Sequence, residues 1–211
     1  MKRSVVLVLV ALLVSSAAMA ETNLTLGVKA GGGMSKMNIE GVDWKMGFDG
    51  GAFFDVEFSP GYSIQAEFLY AMKGLKLDLM GMGEFEWKLD YIEIPILLKR
   101  QLITEGNVRP VFFAGPAIGI LSSATQNVTF MDQEEEVDIK DVFTSTDIGL
   151  VVGAGLDWMV GTSGKLTLDA RFTISLTDNF DKSSQEVEDI VTDESLRNWN
   201  LAFMVGYGFQ L

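Results

Sequence analysis

Residues 201–211 read Leu201-Ala202-Phe203-Met204-Val205-Gly206-Tyr207-Gly208-Phe209-Gln210-Leu211, and their alternation decides the fold. Leu201, Phe203, Val205, Tyr207, Phe209 and Leu211 are bulky and apolar, whereas the residues between them are mostly small or polar. Side chains two apart share a face of a strand, so the segment predicts a β-strand with one greasy face. Segment 165–177 divides the same way. Leu166, Leu168, Ala170, Phe172, Ile174 and Leu176 oppose Lys165, Thr167, Asp169, Arg171, Thr173, Ser175 and Thr177.

The pattern recurs upstream and predicts eight strands, at about 22–34, 47–59, 62–78, 84–101, 108–121, 145–160, 165–177 and 197–211. The stretch 109–121 is apolar on both faces and says least. Connections alternate in length. Ser59-Pro60-Gly61-Tyr62, Leu102 to Asn107 and Gly161-Thr162-Ser163-Gly164 have turn chemistry, whereas 35–46, 122–144 and 178–196 are long and polar.

Composition narrows the function. The 211 residues include no His and no Cys, which excludes a Cys/His zinc site, a thiol nucleophile, His-ligated haem and a Ser-His-Asp triad. No catalytic, cofactor or metal residues are assigned, and the chain reads as a non-enzyme. Sixteen Lys and Arg against 29 Asp and Glu, a formal −13, argue against a nucleic-acid partner. Gly153-Ala154-Gly155 and Gly161 to Lys165 lack the full nucleotide-binding spacings and read as strand and turn.

At the start, Lys2 and Arg3 precede an apolar run from Val5 to Val14 and an exit of small residues ending at Ala20. This is the layout of a secretory signal peptide, giving residues 1–20 as signal and 21–211 as one β-barrel domain. Export, short turns on one rim with long loops on the other, and Gly, Ala and charge on the face opposite the greasy one together favour a membrane barrel over a soluble one. The expected fold is all-β: an eight-stranded, antiparallel, up-and-down transmembrane barrel in the bacterial outer membrane, with both mature termini periplasmic. Closure leaves no unpaired strand edge in lipid. Phe58, Tyr62, Trp158 and Phe209 fall near the short-turn rim, where an aromatic girdle belongs.

Several ordered segments strengthen this reading: Tyr91 to Lys99, Arg109-Pro110 leading to Ala114-Gly115-Pro116, Asp147 to Leu156, Ala170-Arg171-Phe172 and the Gly-aromatic last strand. Together they resemble the outer-membrane β-barrel proteins described as porin-family or PorT-like. The resemblance implies the eight-stranded barrel. It also implies that Tyr207, Phe209 and Leu211 form a C-terminal signal for the barrel assembly machinery, with Leu where the family usually ends in Phe. It supplies no biochemical activity.

Eight strands leave an interior that side chains can fill. The inward face carries Lys29, Lys99 and Arg171 against Asp55, Glu57, Glu67, Glu93 and Asp169. Charges taken out of water must pair, so a plugged lumen is expected rather than a diffusion pore. A narrow ion channel is the competing reading. Segments 131–141 and 178–196 are strongly acidic, and they read as solvated outer loops with, at most, weak capture of divalent cations beside lipopolysaccharide. Leu75, Leu77, Leu79, Phe85, Trp87 and Leu89 share the inward phase of a long hairpin whose tip is Met80 to Gly83. They either line an apolar mouth for a small hydrophobic ligand or, the favoured arrangement, pack together through bulges or folded-down loops. The overall expectation is a structural or surface-interaction scaffold in outer-membrane lipid and lipopolysaccharide.

Overall fold

A computed structural model describes residues 23–39, 41–78, 83–130, 133–179 and 196–211. The signal peptide, Leu79 and the hairpin tip before Gly83, and loop residues 180–195 lie outside the described residues. Nine strands follow in order: β1 (Asn23–Met37), β2 (Lys45–Ser59), β3 (Tyr62–Asp78), β4 (Gly83–Gln101), β5 (Val108–Phe130), β6 (Gln133–Asp138), β7 (Thr146–Val160), β8 (Gly164–Ser175) and β9 (Asn198–Gln210).

Eight of them close into an antiparallel barrel in the order β1-β2-β3-β4-β5-β7-β8-β9, and β9 pairs back onto β1. The register leaves β1 at Leu24 and runs through Val56, Ile64, Leu98, Ala114, Val152, Phe172 and Leu201. It returns to β1 at Met34, ten residues further along. A stagger of this size tilts the strands, and eight strands leave an interior just wide enough for side chains to fill.

The alternation sorts the faces. Leu26, Phe54, Phe68, Val152, Leu168, Phe203 and Phe209 are exposed on the outer wall, while Lys29, Phe53, Glu67, Leu97 and Arg171 are buried within. Inward glycines make room for inward rings. A Cβ on Gly27 would sit 2.4 Å from the Phe53 ring, and one on Gly153 would sit 2.4 Å from that of Phe113.

The predicted loop 122–144 is mostly ordered structure. β5 continues to Phe130, still paired with β4, and turns into β6, which pairs back onto its upper half. A single 3-10 turn, Lys140–Val142, then leads to β7. Polar residues from Ser122 to Thr129 hid this strand, because here neither face carries a continuous apolar stripe. β1 likewise runs to Met37 rather than ending near 34. The hairpin β3–β4 has no bulge: pairing is in one register from Leu69↔Glu93 to Asp78↔Glu84. The irregularity falls instead between β4 and β5, opposite Asp90 and Tyr91.

Candidate functional site

The inward positions form a stack of layers along the lumen. In the middle layer, Lys29 Nζ lies 2.8 Å from Glu67 and 2.7 Å from Asp169. Arg171 donates to both oxygens of Glu67, at 2.6 and 3.1 Å, and to Asp169 at 3.1 Å. Two cations thus meet two carboxylates, all buried. Below them lie aromatic faces, with Lys29 over Phe53 at 5.1 Å and Arg171 over Phe113 at 5.4 Å. Taking such ions out of water costs several kcal/mol each, which only close pairing offsets.

Toward the short-turn rim, Lys99 stands 3.6 Å from Asp55 and 3.7 Å from Asp157. Lys165 lies 3.5 Å from Asp55. Gln65 joins this layer to the one above, accepting from Lys99 at 2.9 Å and donating to Glu67 at 2.5 Å. A cavity of about 20 Å³ opens here, room for one water molecule. Glu57 stands apart from the ion pairs: its carboxylate accepts the Gly61 backbone N–H at 3.0 Å and holds the β2–β3 turn.

Toward the long-loop rim, Glu93 pairs with Lys73. Asp147 accepts from Ser175 and, at 2.7 Å, from Thr177. Above this polar layer the lumen turns apolar. Leu75, Leu89, Tyr91, Leu121, Met37 and Phe143 form one buried cluster, with Phe85 and Trp87 packed against it. The Trp87 and Phe143 rings meet edge to face, 5.5 Å between centroids. Ile139, Val142 and Phe143 come from the segment around the 3-10 turn, so the mouth residues pack under a folded-down strap rather than around an open pocket. That strap is tied by Ile139 N–H to Ala124 O at 3.0 Å and by Lys140 Nζ to Ser122 O at 2.8 Å.

The structure therefore brings together Lys29, Asp55, Glu67, Lys99, Asp169 and Arg171 in one connected network, places Glu93 in a separate pair, and leaves Glu57 at the turn. Sequence reasoning missed Gln65, Asp157 and Lys165 as members of this network and Lys73 as the partner of Glu93. Their signal was present, since each shares the small-or-polar phase of its strand. Tyr207 and Phe209 lie on the exposed wall of the last strand, and Leu211, also exposed, follows its end. Among the described residues no three acidic groups are arranged to hold a metal ion.

A family described as the outer membrane protein beta-barrel domain matches residues 15–181. The chain belongs to this family. Its exposed apolar wall accordingly faces lipid in the bacterial outer membrane, where lipopolysaccharide is also present. No curated protein sequence matches the chain. Among solved structures it is similar to a major outer membrane protein of Thermus thermophilus, at 13% identity and a TM-score of 0.55, covering 91% of this chain and all of the other. Neisserial surface protein A is similar at 13% identity and a TM-score of 0.52, covering 89% of this chain and 98% of the other. The outer membrane enzyme PagL matches at 11% identity and a TM-score of 0.45, covering 85% and 97%. At such identities the likeness is one of fold alone.

Proposed function

We propose that this outer-membrane barrel is a closed, non-enzymatic scaffold that presents acidic segments at the cell surface. The observation carrying the reading is the filled lumen. A balanced ion-pair layer spans it at Lys29, Glu67, Asp169 and Arg171, and an apolar cluster under Phe143 seals the long-loop end. The cavity near the short turns, about 20 Å³, is far below what conduction through the barrel needs. What the protein offers to partners is then its rim. The β5–β6 extension rises beyond the membrane with Glu135, Glu136 and Asp138 exposed. Acidic side chains there keep the rim solvated and give weak purchase to divalent cations bridging lipopolysaccharide phosphates.

In this reading both termini face the periplasm and the long loops face outward, as short-turn and long-loop rims are arranged in barrels of this type. Tyr207, Phe209 and Leu211 are the contact presented to the barrel assembly machinery. Planar-bilayer recording of the refolded full chain is the deciding experiment. The scaffold reading expects no sustained conductance; steady ohmic current would replace it with the narrow-channel reading. Orientation is read separately by labelling a Glu136→Cys variant in intact cells with an impermeant maleimide. A receptor for a small hydrophobic ligand would have to lift Phe143 from Trp87, so it predicts a change in Trp87 emission on titration with fatty acid; a flat titration removes it.

A further inference from the structure

The membrane-facing wall carries one feature that neither the lumen nor the acidic rim explains. Lys36 sits near the end of β1 on the outward face, between two indoles: its Nζ lies 5.1 Å from the Trp44 ring centroid and 5.5 Å from that of Trp199. Trp199 is its direct cross-strand partner on β9. Beyond this pair the β1–β9 ladder gains one more rung. Asn38 N–H donates to Arg197 O at 3.2 Å, and Arg197 N–H donates to Asn38 Oδ1 at 2.7 Å. Arg197 is thereby held in the phase of Trp199, diagonal to Lys36, at a spacing that long side chains bridge.

Depth follows from the strand. Lys36 lies on the same face as Leu24, twelve residues along. At about 3.3 Å per residue and a tilt of roughly 40°, this is about 30 Å along the barrel axis. The apolar band of such barrels is about 25 Å tall, which puts the ammonium at headgroup level in the leaflet on the long-loop side. Among the described residues the other outward cations of this rim have partners within the protein: Lys76 pairs with Glu84, Lys88 stands 3.8 Å from Glu86, which also lies 3.6 Å from Lys45, and Lys140 donates to a backbone carbonyl. Among the described residues no carboxylate lies within 4 Å of Lys36 or Arg197. Ring faces orient a cation and shield its sides, but they do not neutralise it. Among the described residues these two cations lack a carboxylate partner, and one is clamped by Trp rings at the edge of the hydrocarbon, where an anion supplied from the bilayer matches them.

We infer that Lys36 and Arg197, flanked by Trp44 and Trp199, bind the phosphate groups of lipopolysaccharide on the outer wall of the barrel. The inference rests on the outward orientation of the long-loop rim given above; in that leaflet the abundant anion is a phosphorylated glycolipid. Ammonium and guanidinium groups recognise phosphate through charge-assisted hydrogen bonds, and the guanidinium fork adds bidentate geometry.

The test uses the refolded full chain in detergent, titrated with lipopolysaccharide and separately with phosphatidylglycerol, and read by native mass spectrometry. Wild type binds lipopolysaccharide more tightly than phosphatidylglycerol. A Lys36→Gln/Arg197→Gln variant weakens that binding by about tenfold or more. Lys88→Gln leaves it unchanged. Faster migration of the unboiled sample shows that each variant is folded, and Lys36→Gln alone serves if the double variant is not. Equal affinity of a folded Lys36→Gln variant and wild type overturns the site. Preference for phosphatidylglycerol overturns the glycolipid assignment. The Glu136→Cys labelling reads orientation in cells independently, so a failed orientation is distinguished from a failed phosphate site.

Discussion

Arg171 on β8 reaches across the lumen to Glu67 on β3, four strands away around the eight-stranded ring, and donates to both carboxylate oxygens. Opposite walls are thus tied by two hydrogen bonds with fork geometry. Lys29 and Asp169 complete the cross-brace, so no member of the layer is left with an uncompensated charge.

Removing one partner strands the other. Glu67→Ala leaves Arg171 and Lys29 sharing Asp169 alone, and it should cost about 3–5 kcal/mol. Urea unfolding in lipid vesicles checks this. A Glu67→Leu/Arg171→Met double variant, which removes the charge on both sides, should recover part of the loss, giving a coupling energy that a purely additive pair would not show.

Phe143 is buried against Trp87 under the strap at the mouth. Phe143→Ala should cost about 3–5 kcal/mol if the site does not collapse. In a background with Trp44, Trp158 and Trp199 changed to Phe, emission from Trp87 should shift to longer wavelength as water reaches the ring. An unmoved spectrum would show that the strap does not cover it.

Inward glycines make the room that the lumen's rings occupy. Gly27→Ala places a methyl group 2.4 Å from the Phe53 ring and 2.5 Å from the Tyr207 carbonyl oxygen, and should destabilise the barrel by about 1–3 kcal/mol. The compensating change is Phe53→Leu in the same chain, and partial recovery of the unfolding midpoint is the readout.

The outer wall makes a depth-dependent prediction. Val152, exposed and near mid-height, should cost about 2–4 kcal/mol as Val152→Arg, whereas Phe209→Arg near the short-turn rim should cost about 0–1 kcal/mol. Equal penalties measured in vesicles would mean that lipid does not grade this surface.

The barrel itself was legible because lipid demands a greasy outer face over the whole height of every strand, and Leu201 to Leu211 or Leu166 to Leu176 satisfy that demand without interruption. Where the wall leaves the bilayer the demand ends, and so did the signal: Ser122 to Thr129 read as a loop although they continue β5. The inward phase was equally readable, which is why Lys29, Glu67, Asp169 and Arg171 were placed in one lumen. Who pairs with whom was not, because Arg171 and Glu67 are 104 residues apart and only the closed register sets their heights against each other. Glu57 shows the same limit, since it shares the phase of Asp55 but lies low enough to cap a turn instead.

The rung that joins Thr25 to Gln210 carries a further implication. Because first and last strands are mutual neighbours, the wall stays open as a slot until the final hairpin arrives. Without β9, the facing edges of β1 and β8 would carry unpaired backbone groups, each costing several kcal/mol in hydrocarbon, so this one strand decides whether the wall tolerates lipid at all.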